Sequence, residues 1–168
     1  MTAIQPIDIE SERYWQQLTA PASRWRPLLH VDATRITLSQ HCAAGQVYLA
    51  TPYAEEVRDG QGRWQFAGSV EMQMRAAYVL SVLIPLGIAA VSPVVLGAAA
   101  HHALPPAARG AGPDEDAFGT LRRQMLHASR AVIVPDLPGW RRSSAVRRDV
   151  SVALTHNMPV FLFPVGAG

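Results

Sequence analysis

Four short runs of nearly continuous apolar residues constrain this chain more than any single motif. They are VYLATP (47–52), AAVSPVVL (89–96), AVIVPD (131–136) and MPVFLF (158–163). Strands that alternate apolar and polar residues have one wet face. Runs as uniformly apolar as these have none, so each must be covered on both sides. The segments between them carry helical spacing. In SVEMQMRAAYVLSVLIPLG (69–87), Met72, Ala76, Val79, Leu80 and Leu83 recur on one face, with Ser69 as the expected cap. AFGTLRRQMLHAS (117–129) repeats the pattern through Leu121, Met125 and Ala128, and a third helix is expected from Ser143 or Ser144 to about His156. Strands alternating with helices predict an α/β fold. It is a flavodoxin-like or Rossmann-like three-layer sandwich around a mainly parallel sheet of roughly four to five strands.

The chain has 168 residues, 49% of them hydrophobic and 17% charged, enough for one domain with a sizeable core. The regular pattern begins near Val47. Residues 1–44 therefore read as an N-terminal appendage and 45–168 as the α/β domain. Within the appendage, Ser11 is expected to cap a short helix through Leu18, and Thr34 to Leu38 to form an edge strand. GAAAHHALPPAARGAGPDED (97–116) reads as one long loop, of the kind that is often functional or mobile.

Several function classes are excluded early. A net charge of +2 is too mild to argue for a nucleic-acid polymer as partner. The arginines do cluster, at Arg122, Arg123 and Arg130 and again at Arg141, Arg142, Arg147 and Arg148. Such a cluster is either a solvated helix face or a rim that collects phosphate. Cys42 is the single cysteine, so no intrachain disulfide is possible, in keeping with a reducing, cytoplasmic compartment. His101 and His102 are adjacent and cannot share one helix face, and there is no HExxH and no paired CxxC, so no metal site is expected. The polar, acidic start of the chain is not a signal peptide. From Ala76 to Ala100 no residue is charged, but Pro85, Gly87 and Pro93 break the stretch, so no membrane span is expected.

In a parallel α/β sheet, ligands bind beyond the carboxyl ends of the strands. Those ends carry Tyr48 to Tyr53, Ser92 to Pro93, and Asp136 to Ser144. Neither a GxGxxG nor a Walker A sequence follows the first strand, which disfavours a dinucleotide or nucleoside triphosphate site. Thr51, Pro52 and Tyr53 are either a plain turn or part of a ligand edge. Asp136 either caps its own loop or holds ligand hydroxyls. Ser143 and Ser144 cap the last helix, whose N-terminus also suits a phosphate, with Arg141, Arg142 or Arg147 in support. Asp149 lies about one and a half turns into that helix. Its neighbours three and four residues away are Ala145, Val146, Val152 and Ala153. An acid on such an apolar face either reaches water at the margin or is a partly buried carboxylate able to act on a sugar carbon.

VYLATPY, VSPV and VIVPDLPGWRRSSAVRRDVSVALTHNMPVFLF together resemble the nucleoside 2-deoxyribosyltransferase-like superfamily. They resemble more narrowly a branch with YLA-x-PY and GW-x-x-S-x-G-V-x-x-E segments, related to nucleoside 5′-phosphate N-glycosidases. The resemblance covers residues 47–163. It implies a flavodoxin-like homo-oligomer that cleaves or transfers the N-glycosidic bond of a small nucleoside or nucleoside 5′-monophosphate, without a cofactor. It also implies residue roles. Asp149 takes the place of a helix-borne glutamate that acts at the anomeric carbon, Tyr48 orients it, and Asp136 is a nearby acid. Ser143 meets the 5′-hydroxyl or phosphate; Thr51, Pro52, Tyr53, Ser92, Trp140 and Ser144 complete the site. Two positions depart from the pattern. Asp149 is one methylene shorter than glutamate, and Ala145 stands where the segment has glycine. A non-catalytic nucleotide-binding module on the same fold is the alternative that these departures fit.

Overall fold

The computed structural model describes residues 8–110 and 112–166. Residues 1–7, the first part of the polar, acidic start of the chain, lie outside them. The sheet has five parallel strands: β1 (Leu29–His30), β2 (Val47–Leu49), β3 (Ala90–Val91), β4 (Ala131–Pro135) and β5 (Val160–Phe163). Their order across the sheet is β1-β5-β4-β2-β3. The helices are α1 (Tyr14–Thr19), α2 (Arg35–Cys42), α3 (Phe66–Leu83), α4 (Pro93–His102), α5 (Pro106–Arg109), α6 (Glu115–His127) and α7 (Ser144–Thr155). This is the expected α/β sandwich.

The apolar runs are buried on both faces because alternate side chains enter different cores. Tyr48, Val132, Val134, Val160 and Leu162 join one cluster with Tyr14, Trp15 and Leu18 of α1, Leu126 of α6 and the inner face of α7. Val47, Leu49, Ala131, Ile133, Phe161 and Phe163 join the other, with Leu38 and Cys42 of α2 and Val79 and Leu83 of α3. A third cluster seats Tyr53 and Val57 against Met72 and Ala76 of α3 and Val94 and Ala98 of α4. The two-residue strand β1 adds to β5, pairing Leu29 with Val160.

Four local expectations are corrected. Thr34 to Leu38 is not a strand: the Thr34 hydroxyl accepts from the Thr37 N–H at 3.2 Å and starts α2, and the edge strand is Leu29–His30. Ser69 does not cap α3, which begins at Phe66. It is fully buried inside the helix. Ser11 does not cap α1; its hydroxyl accepts from the Arg13 N–H at 3.2 Å, and α1 opens at Tyr14. The long loop is helical over Gly97 to His102, because Ser92 caps α4 and Pro93 occupies its first turn. Reading Ser92-Pro93 as strand interior hid a helix start. Among the described residues no helix is long and apolar enough to cross a membrane.

Candidate functional site

The strand order sets the place of the site. From β2 the chain passes to β3 on one side, whereas β4 lies on the other side of β2 and leads on to β5. The carboxyl ends of β2 and β4 therefore flank the point where the winding reverses, the usual crevice for ligands in open α/β sheets.

Three elements meet beneath that crevice. Tyr48, the middle residue of β2, points to the face shared with α6 and α7. The buried face of α7 is Val146, Asp149, Val150, Ala153 and Leu154, a helical stripe in which Asp149 takes a core position. Arg122 comes from α6. The Tyr48 hydroxyl donates to Asp149 Oδ2 at 2.7 Å, and Arg122 Nη2 donates to the same oxygen at 2.7 Å. Arg122 also donates to the Ala145 carbonyl at 2.9 Å. Among the described residues no hydrogen bond reaches Oδ1. Asp149 is only 7% exposed and Tyr48 is fully buried.

Burial raises the Asp149 carboxyl above its ordinary range, opposed by the charge and hydrogen bond of Arg122 and by the hydrogen bond of Tyr48. Burial also works against the Arg122 charge, but the attraction of Asp149 and then Tyr48 outweighs it. Tyr48 is held well above the ordinary tyrosine value, first by burial and then by the Asp149 charge, so it remains a donor. An acid in the core thus has the partners it requires. Arg122 was absent from the expected site. The apolar surroundings of Asp149 were the signal: a buried carboxylate calls for a cation, and several arginines were at hand.

Ser143 caps α7, its hydroxyl accepting from the Val146 N–H at 3.4 Å. Three further donors of this helix start, from Ser143 and Ser144, are taken by Glu55, from the loop after β2. The Ser144 N–H and hydroxyl each donate to Glu55 Oε1 at 2.8 Å, and the Ser143 hydroxyl donates to Oε2 at 3.3 Å. The supporting arginines are engaged elsewhere. Arg147 donates to the carbonyls of Ile9 and Ser11, Arg142 pairs with Glu56 at 3.1 Å, and Arg141 lies over the Trp140 ring.

The other expected residues fall into separate surroundings. A cavity of about 250 Å3 is lined by Tyr53, Trp64 and Phe118 and by Arg58, Arg122, Ser144 and Arg148. Asp149 meets it through Arg122. Asp136 and Trp140 instead line a second concavity of about 610 Å3, together with Trp15 and Asp32. There, Asp136 Oδ1 accepts from the Val165 N–H at 2.8 Å, the loop-capping role. Ser92 is the α4 cap, accepting from the Val95 N–H at 3.2 Å. Pro52 is buried, and so is Thr51, whose hydroxyl has no partner among the described residues. Tyr53 binds the Ser69 hydroxyl at 2.7 Å, and Ser69 in turn binds His102 Nε2 at 2.7 Å. No group of three or more His, Cys, Asp or Glu suited to a metal ion occurs among the described residues.

Residues 45–165 match a family model described as a domain of unknown function, DUF1937. No curated protein and no solved structure matches the chain.

Proposed function

The chain belongs to the DUF1937 family, and we propose, from the site it carries, that it cleaves or transfers the N-glycosidic bond of a nucleoside or nucleoside 5′-monophosphate. The observation that carries this reading is the buried Tyr48–Asp149–Arg122 cluster at the reversal point of the sheet. Membership in the nucleoside 2-deoxyribosyltransferase-like superfamily is part of the proposal. It draws support from the five-stranded parallel sheet and from the 2.7 Å bond between the residues matched to the orienting tyrosine and the acting carboxylate.

The chemistry follows from the hydrogen bonds. Tyr48 and Arg122 both hold Oδ2, which fixes the carboxylate, favours its ionised form against the opposing effect of burial and leaves Oδ1 without a protein partner among the described residues. As the bond from C1′ to the base nitrogen breaks, its electron pair leaves with the base, which takes a proton from solvent. Oδ1 then stabilises the sugar cation or bonds to C1′. Water as acceptor gives hydrolysis, and a second base gives transfer. The three aromatic rings of the 250 Å3 cavity offer faces for the base.

A second reading is a module that binds nucleotides without turning them over. The specific observation in its favour is the ion pair itself: Arg122 neutralises the carboxylate and lies between it and the cavity. The two readings are separated by incubating the protein with ribo- and deoxynucleosides and their 5′-monophosphates and following free base by chromatography. Release that disappears in Asp149→Ala supports the enzyme. Thermal stabilisation by a nucleotide with no base released supports the binding module.

A further inference from the structure

The start of α7 is where the resemblance to the nucleoside 2-deoxyribosyltransferase-like superfamily implies the substrate's 5′ end, and a carboxylate of the chain itself already sits there. Glu55 receives the Ser144 N–H, the Ser144 hydroxyl and the Ser143 hydroxyl, donors that a phosphate at this position would need. This is not a side chain passing over the surface. The loop that carries it is fixed by a tight turn, with the N–H groups of Glu56 and Val57 donating to the Tyr53 carbonyl at 3.0 and 3.1 Å. Tyr53 and Val57 are buried on either side of it. The neighbouring Glu56 pairs with Arg142 and fills the space left by Gly139. A Cβ on Gly139 would stand 2.0 Å from Glu56 Oε1, and its φ of +85° also favours glycine. The loop after β2 is thereby clamped to the loop after β4 at two adjacent points.

The carboxylate also keeps its charge. Burial acts to raise its pKa, but the Ser144 side-chain and backbone hydrogen bonds outweigh that and hold it below the ordinary range. Ala54 and Ser144, next to this contact on either side, line the 250 Å3 cavity. Of the three arginines that line that cavity, Arg58 is paired with Glu115 and Arg122 with Asp149, and Arg148 is exposed at its edge.

We infer that Glu55 sets the substrate class of the proposed reaction: it accepts a hydrogen bond from an uncharged 5′-hydroxyl and excludes a 5′-phosphate. The inference rests on the N-glycosidic reading and narrows it to nucleosides. A phosphomonoester carries close to two negative charges at neutral pH and would face a fixed carboxylate that already takes the Ser143 and Ser144 donors. Like charges brought together in this way cost enough to discriminate by on the order of 100-fold.

The test compares the wild type, Glu55→Gln, Glu55→Ala and, as a charge control, Glu56→Gln. Base release is measured for nucleosides paired with their 5′-monophosphates. Thermal stability is measured with each nucleoside monophosphate and with inorganic phosphate. The wild type is expected to favour nucleosides in kcat/KM by about 100-fold. Glu55→Gln and Glu55→Ala should narrow that preference at least about tenfold, and Glu56→Gln should leave it unchanged. A wild type that prefers monophosphates, or Glu55 variants with an unaltered ratio, overturns the inference. If no variant releases base from any substrate, the catalytic reading fails and the stability data still decide this one. Monophosphate stabilising the Glu55 variants but not the wild type upholds Glu55 as the group that excludes the anion. Stabilisation of the wild type, or of no variant, overturns it.

Discussion

Asp149 shows why a residue's chemistry is set by what lies across from it. The sequence placed an acid on an apolar helix face and left open whether it reached water. The fold encloses it and supplies a tyrosine from β2 and an arginine from α6. Asp149→Asn is expected to lower kcat for base release at least about 1,000-fold, as loss of a group acting on the reacting carbon does. Tyr48→Phe removes one hydrogen bond to a charged oxygen and should cost about 10- to 100-fold. Because that bond lowers the Asp149 pKa, its loss should also move the acid limb of the pH–rate profile upward. A purely structural tyrosine would not do this. Arg122→Met leaves the carboxylate buried without its cation, at a cost of about 3–5 kcal/mol. The sign of its pH dependence is fixed. A carboxyl whose folded pKa is raised binds its proton more tightly when folded, so stability falls as pH rises through the carboxylate range. The raised direction already holds with Arg122 in place, and removing the cation strengthens it. Urea denaturation should therefore show Arg122→Met losing more at pH 8 than at pH 5. Arg122→Met combined with Asp149→Leu should recover most of the loss at both.

Strands and helices differ in how plainly they can be read from the chain. β4 and β5 were legible because both of their faces are buried, which makes their sequences continuously apolar over five and four residues. β1 was not: two residues, Leu29 and His30, carry no periodicity, and only pairing with β5 makes them a strand. α4 was hidden for another reason. Its Ala-rich sequence lacks a polar face, so its helical period is weak, and its start signal of Ser92 followed by Pro93 is embedded in an apolar run that also reads as a strand. Its packing depends on a glycine. A Cβ at Gly97 would meet Phe118 of α6 at 2.0 Å, so α4 and α6 approach closely only without one. Gly97→Ala is expected to destabilise by about 1–3 kcal/mol through overpacking, even though alanine favours the helix. In Gly97→Ala combined with Phe118→Leu, removing the ring should restore most of the stability. If the single variant matches the wild type in a denaturation series, the close approach is not what glycine is there for. The Glu55 contact was illegible for the same reason as the Arg122 pair: each joins residues far apart in sequence, and periodicity carries no information across such a distance.

The first helix shows how far the fold reaches beyond its repeating strand–helix pattern. Tyr14, Trp15 and Leu18 lie in the same core as α7. The Tyr14 hydroxyl donates to the Arg147 carbonyl at 2.9 Å and meets Ser151 Oγ at 2.9 Å, and the Trp15 indole N–H donates to the Arg141 carbonyl at 2.9 Å. Trp15 also packs edge-on against Trp140, with ring centroids 4.6 Å apart. These bonds reach both the turn before α7 and the flank of that helix opposite Asp149, so α1 steadies the element on which the proposed chemistry depends. Trp15→Ala removes a large buried ring and should cost about 3–5 kcal/mol. If α1 and the sheet form one cooperative unit, far-ultraviolet and near-ultraviolet circular dichroism will report the same single transition for this variant, shifted to lower denaturant. Base release should fall as well, through misplacement of the α7 start, at denaturant concentrations where the variant is still folded. Two separate transitions, with full activity surviving the first, would instead mean that α1 is a detachable cover and that α7 holds its position without it.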